Sequence, residues 1–204
     1  MVKKMKLYKY KNYQEYKDVQ EAGNIRKINN VWVSKKVIDL ICHYIKINIK
    51  SISFGLCHGT RNGVEQKCFI DNLGINVLGT EISSTANNFP NTIQWDFHNI
   101  KEEWIGNVDF IYSNSIDHSY NPKKAIRRWM ACLKDDGILF LEHTKRHSYS
   151  SRLDPFGSTT GEIKKLLKKF GQIIDILKIT DRHGLHNVKT NFRVYVVRKK
   201  MVEK

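Results

Sequence analysis

The C-terminal end of the chain constrains the fold most. Two strand-like runs, "QIIDILKI" at 172–179 and "FRVYVVRK" at 192–199, are separated only by "TDRHGLHNVKTN". A parallel crossover needs roughly a dozen residues or more and usually contains a helix. This link is polar, carries Gly184 and has no helical periodicity, so the two runs are expected to pair antiparallel. From residue 51 up to that pair, strand and helix patterns alternate. Such alternation builds a parallel sheet covered on both faces. The expectation is an α/β, doubly wound, mostly parallel seven-stranded sheet with a C-terminal antiparallel strand pair.

The remaining strand patterns are "SISFGL", "INVLGTEI", "TIQWDF", "VDFIYSNS" and "ILFLEH". "VDFIYSNS" is apolar almost throughout, as a doubly covered central strand should be. The helices are marked by their ends. In "NGVEQKCFIDNLG", Asn62 and Glu65 have capping-box spacing and Gly74 can close the helix. In "NPKKAIRRWMACLKDDG", Asn121 caps, Pro122 opens the first turn and Gly137 is read as the end. Thr159 and Glu162 form a second capping-box pair in "STTGEIKKLLKKFG". Residues 8–50 read as mostly helical. Val33, Val37, Ile38, Ile41 and Ile45 share one helical face there, with Ser34 at the cap. The chain thus divides into an N-terminal helical extension, 1–50, expected to act as a lid, and a ligand-binding α/β domain, 51–204.

Composition bounds the function. The 204 residues suit one main core, and no apolar run approaches the ~18–20 residues of a membrane span. The basic start "MVKKMKLYKYKNYQEYK" lacks an apolar secretory core. Cys42, Cys57, Cys68 and Cys132 are scattered without a C-x-x-C pair, so neither a zinc site nor a disulfide framework is indicated. A reducing, cytoplasmic location is expected. The net charge of +15 leaves a nucleic-acid partner open. The Lys-, Asn- and Ile-rich composition accounts for that charge equally well.

Ligands in such sheets bind outside the carboxyl ends of the strands. After the first strand the chain places Gly55, Gly59 and Gly63, where backbone can approach a ligand without a Cβ between. The following helix start favours a negative group. Glu81 ends the second strand, about twenty residues beyond Gly59, where a carboxylate can accept from a ribose diol. Asp96 ends the third strand, where an adenine amino group could be met. The loop "SNSIDHSYNP" follows the fourth strand, and His143 and His147 follow the fifth. Without acid partners at ligand spacing the histidines, including His183 and His186, are not read as a metal centre.

These features resemble class I S-adenosylmethionine-dependent methyltransferases over residues 51–198. The resemblance rests on "FGLCHGTRNG", "VLGTEIS", "QWDF", "VDFIYSNS" and the terminal antiparallel pair. The family's acid-x-Gly-x-Gly-x-Gly motif is altered: Gly55 stands near the usual acid, and His58-Gly59-Thr60-Arg61 replaces the tighter glycine spacing. The resemblance implies S-adenosyl-L-methionine as cofactor. It implies contacts from Gly55, Cys57, His58, Gly59, Arg61 and Asn62, from Glu81 and Ile82, from Asp96 and Phe97, and from Ser113, Asn114 and Ser115. Arg61 or Asn62 would serve the methionine end in place of the missing acid. Asp117, His118, Tyr120 and His143 are the catalytic candidates, because their loops would lie beside the methyl group.

The acceptor is expected to be a small hydroxylated or amine compound, such as a sugar or metabolite. "NSIDHSY" is not the Pro-Pro-aromatic motif of amino-methylating DNA enzymes, and no Lys-Asp-Lys-Glu set of ribose-methylating enzymes stands out. Alternatives are a nucleic-acid methyltransferase, an NAD(P)-dependent oxidoreductase, and a protein that binds the cofactor without catalysis. G-x-G-x-x-G is absent and the second half does not repeat the first, which counts against the oxidoreductase.

Overall fold

The computed structural model describes residues 5–179 and 192–200. In chain order the elements are β1 (Lys6–Leu7), α1 (Tyr13–Arg26), α2 (Lys35–Asn48), β2 (Phe54–His58), α3 (Val64–Leu73), β3 (Asn76–Glu81), β4 (Thr92–Gln94) and β5 (Val108–Ser113). They continue with α4 (Pro122–Cys132), β6 (Leu133–Thr144), β7 (Phe156–Gly157), α5 (Thr160–Phe170), β8 (Gly171–Ile179) and β9 (Phe192–Lys199). The main sheet has seven strands in the order β4-β3-β2-β5-β6-β9-β8. β2, β3, β4, β5 and β6 are parallel neighbours, and β9 runs antiparallel to both β6 and β8. The C-terminal pairing expected from the short polar link is therefore present. The link itself, with His183, Gly184 and His186, lies outside the described residues.

Side chains alternate across the central strands with period two. Phe110 and Tyr112 of β5, Phe140 of β6 and Val194 and Val196 of β9 face a core built with α2 and α3. Ile111, Leu139, Leu141, Tyr195 and Val197 face the opposite core, built with α4 and α5. Val37, Ile38, Ile41 and Ile45 of α2 are fully buried in the first core, so this helix packs on the sheet. Ile163, Leu166 and Leu167 of α5 are buried in the second, which leaves Lys164, Lys165, Lys168 and Lys169 on the outer side. Thr159 and Glu162 form the expected capping box, and Asn121 caps α4 by accepting from Lys124 N–H.

Several local expectations are corrected. The first sheet strand starts at Phe54, not Ser51, so Gly55 lies inside β2, where the ring of Phe110 leaves no room for a Cβ. α3 has no capping box. Gly63 precedes it in the left-handed region, and the Asn62 amide instead donates to Ile28 O at 2.9 Å. Ser34 makes no side-chain cap bond. α4 ends at Cys132 rather than Gly137, because Leu133 already pairs with Val108 of β5. β4 ends at Gln94, before Trp95 and Asp96.

α1 differs from the other helices. Its buried residues are Tyr16, Gln20, Gly23 and Asn24, a largely polar set, and it lies across the carboxyl ends of the strands. Gly23 lets it approach closely, since a Cβ there would collide with Leu153.

The Phe110 ring that fills the space beside Gly55 gives the first test. Gly55→Ala is expected to destabilise the protein by about 1–3 kcal/mol through overpacking, read from urea denaturation midpoints at unchanged m-value.

Candidate active site

β2 and β5 are neighbours, but the chain leaves β2 toward β3 and β4 and leaves β5 toward β6. Their following loops part and open a crevice at the carboxyl ends of the strands. The turn after β2 carries three left-handed residues, Gly59 (φ 76°), Arg61 (φ 47°) and Gly63 (φ 77°). Glycine is needed at 59 for a second reason: a Cβ would lie 2.6 Å from the Ser115 Cβ. Gly59 and Thr60 both donate N–H to Thr80 O, at 2.8 and 3.2 Å. Arg61 N–H donates to Glu81 at 3.0 Å, and Ser83 N–H donates to its other carboxylate oxygen at 3.1 Å. Burial raises the Glu81 pKa, and these two N–H groups oppose the rise.

Two adjoining cavities occupy the crevice. The inner one, about 50 Å³, has Gly59, Arg61, Glu81, Ile82, Asp96, Phe97 and Ser115 on the sheet side. Tyr16, Gln20, Gly23, Asn24 and Lys27 of α1 and its C-terminal cap form the roof, with His118 and Leu153 at one wall. Asp96 is held by three hydrogen bonds. Its Oδ1 accepts from His98 N–H at 2.9 Å and pairs with His98 Nδ1 at 2.6 Å; its Oδ2 accepts from the Tyr13 hydroxyl at 2.9 Å. Burial works to raise its pKa, but the His98 and Tyr13 contacts outweigh that and hold it low.

The outer cavity, about 260 Å³ and more polar, shares Lys27, Gly59, Arg61, Ser115 and His118 with the inner one. It adds Thr60, Asn62, Glu65, Asn114 and Asp117, the aromatic rings of Trp32 and Tyr149, and Arg146, His147 and Asp154. Four buried polar atoms on these lining residues have no hydrogen-bond partner among the described residues: Thr60 Oγ1, Glu65 Oε2, Asp117 Oδ1 and His147 Nδ1. Buried polar groups are normally satisfied. This concentration gives the outer cavity a polar lining with hydrogen-bonding capacity left over.

His118 Nδ1 faces three oxygens: Gln20 Oε1 at 3.0 Å, Leu153 O at 3.1 Å and Asp154 Oδ1 at 3.7 Å. Nδ1 therefore carries the hydrogen, and in the neutral ring Nε2 keeps the lone pair. Asp117 lies 3.6 Å from His147 Nε2. Burial pushes its pKa up, but the charges of His147 and His118 prevail and keep it low, so Asp117 is an ionised acceptor at neutral pH. Asp117, His118 and Asp154 place one donor each within 4.8 Å of one another.

Not every residue singled out in the sequence reaches the crevice. Gly55 is inside β2. Cys57 is buried in the core beside Phe69 and Phe110, and burial pushes its thiol pKa well up. His58 hydrogen-bonds Thr80 at 2.8 Å and stacks on Trp129, and burial lowers its pKa to about 3. Ser113 spends its hydroxyl on His58 O at 3.0 Å. His143 is buried against Ser158 and does not line either cavity; burial lowers it to about 4. Tyr120 packs on His98 and Tyr16 and faces a separate groove. Gly59, Arg61, Asn62, Glu81, Ile82, Asp96, Phe97, Asn114, Ser115, Asp117 and His118 do line the two cavities.

No protein-family model and no curated protein matches the sequence. Solved structures do match in fold. One is a Burkholderia thailandensis 1,6-didemethyltoxoflavin N1-methyltransferase with bound 1,6-didemethyltoxoflavin and S-adenosylhomocysteine. It is 13% identical with a TM-score of 0.72, over 95% of this chain and 92% of that one. Another is a putative methyltransferase in complex with the Haloferax volcanii Trm112 methyltransferase activator, 12% identical with a TM-score of 0.66, over 95% of this chain and all (100%) of that one. The fold is that of class I S-adenosylmethionine-dependent methyltransferases. The [4+2]-cyclase SpnF also matches, at 13% identity and a TM-score of 0.63 over 91% of this chain and 94% of that one. The class I fold therefore leaves the reaction to be argued from the site.

The sequence reading missed Gln20, Gly23, Asn24 and Lys27 of the roof, Arg146, Tyr149, Leu153 and Asp154 of the wall, and Glu65. Glu65 was visible as an acid just past the glycine turn, but its spacing from Asn62 gave it a capping role. In the fold it is buried, with Oε1 accepting from Asn114 at 3.3 Å and Oε2 unpartnered. Burial raises its pKa to about 7. The folded protein thus holds a proton there, between the ordinary carboxylate pKa and about 7, that the unfolded chain has released. Stability should fall as pH rises through that window. Glu65→Gln is expected to remove this fall and to raise the unfolding free energy at pH 8 by on the order of 2–3 kcal/mol, measured by denaturant titration across pH.

Proposed function

We propose that the protein is an S-adenosylmethionine-dependent methyltransferase acting on a small hydroxylated or amine acceptor. The observation that carries this reading is the inner cavity, where the tips of β2, β3 and β4 bring together a Cβ-free turn, a buried carboxylate and an acid beside an aromatic ring. The residues fit the cofactor. Glu81 uses two N–H contacts and retains acceptor capacity for a ribose diol. Ile82 and Phe97 offer apolar surface for an adenine, and Asp96 an acceptor for its amino group. When bound, the cofactor supplies a methyl group on a sulfonium, already activated for displacement.

The chain's own work is then alignment and exclusion of water. α1 covers the inner cavity, and the outer cavity receives the acceptor between Trp32, Tyr149 and the 145–154 wall. His118 Nε2 is the group suited to take a proton from a hydroxyl acceptor, since Nδ1 is fixed as the donor side. Asp117, held ionised, accepts a hydrogen bond from the acceptor. A small acceptor is supported by the covered cavity with both charge signs on its lining. It is also supported by the lysines of α5, which amphipathicity alone explains. The toxoflavin enzyme among the similar structures binds a small acceptor of its own.

Glu81→Ala is expected to weaken S-adenosylhomocysteine binding by about 1–3 kcal/mol, measured by calorimetry on a folded variant. Radiolabelled methyl groups should pass to a small-molecule extract and not to RNA or DNA. Transfer into nucleic acid would replace the small acceptor with the alternative that the +15 charge leaves open.

We further propose that α1 is a lid over the cofactor. Apart from the Tyr16 ring, which packs on His98 and Tyr120, its attachments are polar: Glu21 accepts from Ser84 N–H and hydroxyl at 3.0 and 2.5 Å, Asn24 accepts from Thr85 at 2.8 Å, and Gln20 donates to Leu153 O at 2.9 Å. Water can replace such bonds at small net cost. The double substitution Glu21→Ala, Asn24→Ala is expected to speed S-adenosylhomocysteine release by roughly 3- to 30-fold, read by stopped-flow fluorescence. An unchanged release rate would show that ligand leaves by another route.

A further inference from the structure

The residue least explained by the free protein is Glu65. It sits in the first turn of α3, where the helix dipole favours a carboxylate. It is buried, with 6% exposure, and lines the floor of the outer cavity. One oxygen has only the Asn114 amide at 3.3 Å, and the other has nothing among the described residues. A buried carboxylate left half unpaired is costly, and in a cavity wall the missing partner is supplied by what enters the cavity.

We propose that Glu65 is the counter-group for a ligand ammonium at the floor of the outer cavity, with Arg61 above it taking the ligand's carboxylate. The chemistry is that of an α-amino-acid head group. The neighbouring groups fit both ends. Arg61 borders both cavities and is committed, in the described contacts, only to Asn30 O through Nη1 at 3.0 Å, so its fork retains free donors. The unpartnered Thr60 hydroxyl lies in the same turn. The core cysteine Cys57, where β2 enters that turn, brings no charge to the site, because its thiol stays protonated. The acid that the chain lacks before its glycine turn is thus supplied from the helix after it. This assignment rests on the methyl-donor reading, because the head group in question is the methionine end of that donor.

The same geometry makes binding proton-linked. The charged groups facing Glu65 are Arg61, which favours its ionised form, and Glu142, which disfavours it; Glu142 is itself hydrogen-bonded by the Tyr112 hydroxyl at 2.9 Å. In the free protein Glu65 keeps its proton up to about pH 7. An ammonium against Oε2 requires the carboxylate, so the proton must leave as the ligand arrives. Affinity therefore rises with pH up to that point and levels off above it.

The test is calorimetric titration of the full chain with S-adenosylhomocysteine and with its analogue lacking the α-amino group, in two buffers of different ionisation enthalpy. Wild type should release about half a proton per S-adenosylhomocysteine at pH 7, and its affinity should rise about 10-fold from pH 6 to pH 8. Glu65→Gln should bind S-adenosylhomocysteine roughly 10- to 100-fold more weakly, with no proton release and no pH dependence. The analogue should bind both proteins alike. Melting curves of the unliganded variant, expected to be at least as stable as wild type at pH 8, separate a binding effect from misfolding. S-adenosylhomocysteine bound equally by wild type and variant, without proton release, would overturn the role of Glu65 while leaving the methyl-donor reading intact. No binding to wild type at any pH would overturn that reading and the Glu65 assignment together.

Discussion

The site depends on the hydrogen bonds that the turn after β2 makes with the end of β3. Gly59 and Thr60 share the carbonyl of Thr80, and Arg61 donates to the Glu81 carboxylate. These bonds need backbone that folds back on the strand, and left-handed residues at 59, 61 and 63 provide it. Two of the three are glycine. Arg61 is not, and a non-glycine residue in that region costs about 1 kcal/mol. The turn fixes several things together. It holds the Glu81 carboxylate at the inner cavity, places the Arg61 side chain on the border of both cavities, and starts α3 with Glu65 turned inward rather than capping.

From this turn the rest of the crevice follows by topology. β2 and β5 are forced to diverge at their ends, and Ser115 meets Gly59 across the gap, its hydroxyl donating to Gly59 O at 3.0 Å. A second tie runs across the far side of the crevice. Asp96, His98 and Ser119 form a buried chain with contacts of 2.6 Å on each side of the imidazole. It joins the loop after β4 to the loop after β5. Burial lowers the His98 pKa against the pull of Asp96, so the ring is a neutral link that donates to Asp96 and accepts from the Ser119 hydroxyl. The two acids of the inner cavity are thus held differently. Glu81 is held by backbone alone, while Asp96 is held by both the backbone and the ring of His98 and, through Tyr13, from α1.

The sheet was legible because its signals are periodic and redundant. β5 is buried at every position, α5 carries both halves of a capping box, and the C-terminal pair had too little chain between its strands for a crossover. The acids at strand tips were legible for the same reason, since strand ends locate them. What escaped was whatever depends on a single conformational choice or on contacts from far along the chain. Gly55 was placed with the turn because Gly55, Gly59 and Gly63 recur at four-residue spacing. Burial by Phe110 of β5 instead sets the strand at 54–58 and pushes the turn to 59–63. Glu65 looked like a cap until the left-handed Gly63 redirected the helix start and Asn62 turned to Ile28. The 145–154 wall has no period at all. It is held by isolated pairs such as Arg152 with Glu15 at 3.1 Å and the Tyr10 hydroxyl with Arg152 O at 2.5 Å.

α1 was legible as a helix but its inward face was not, and the reason bears on how the site works. A helix that packs on a core declares itself by an apolar stripe, as α2 does. The inward face of α1 is Tyr16, Gln20, Gly23 and Asn24, so no stripe exists to be read. That same face sits over a cavity whose opposite wall holds Glu81 and Asp96. A helix with an apolar face there would resist water when the cavity is empty and resist lifting when it is full, because each buried aliphatic side chain adds roughly 1.5–3 kcal/mol to closure. Polar contacts add far less net free energy, since water substitutes for them on opening. On the proposed reading, the polarity that hid the inward face of α1 is what lets it close over a polar ligand and release it again. α2, with its apolar face on the sheet, stays fixed beneath.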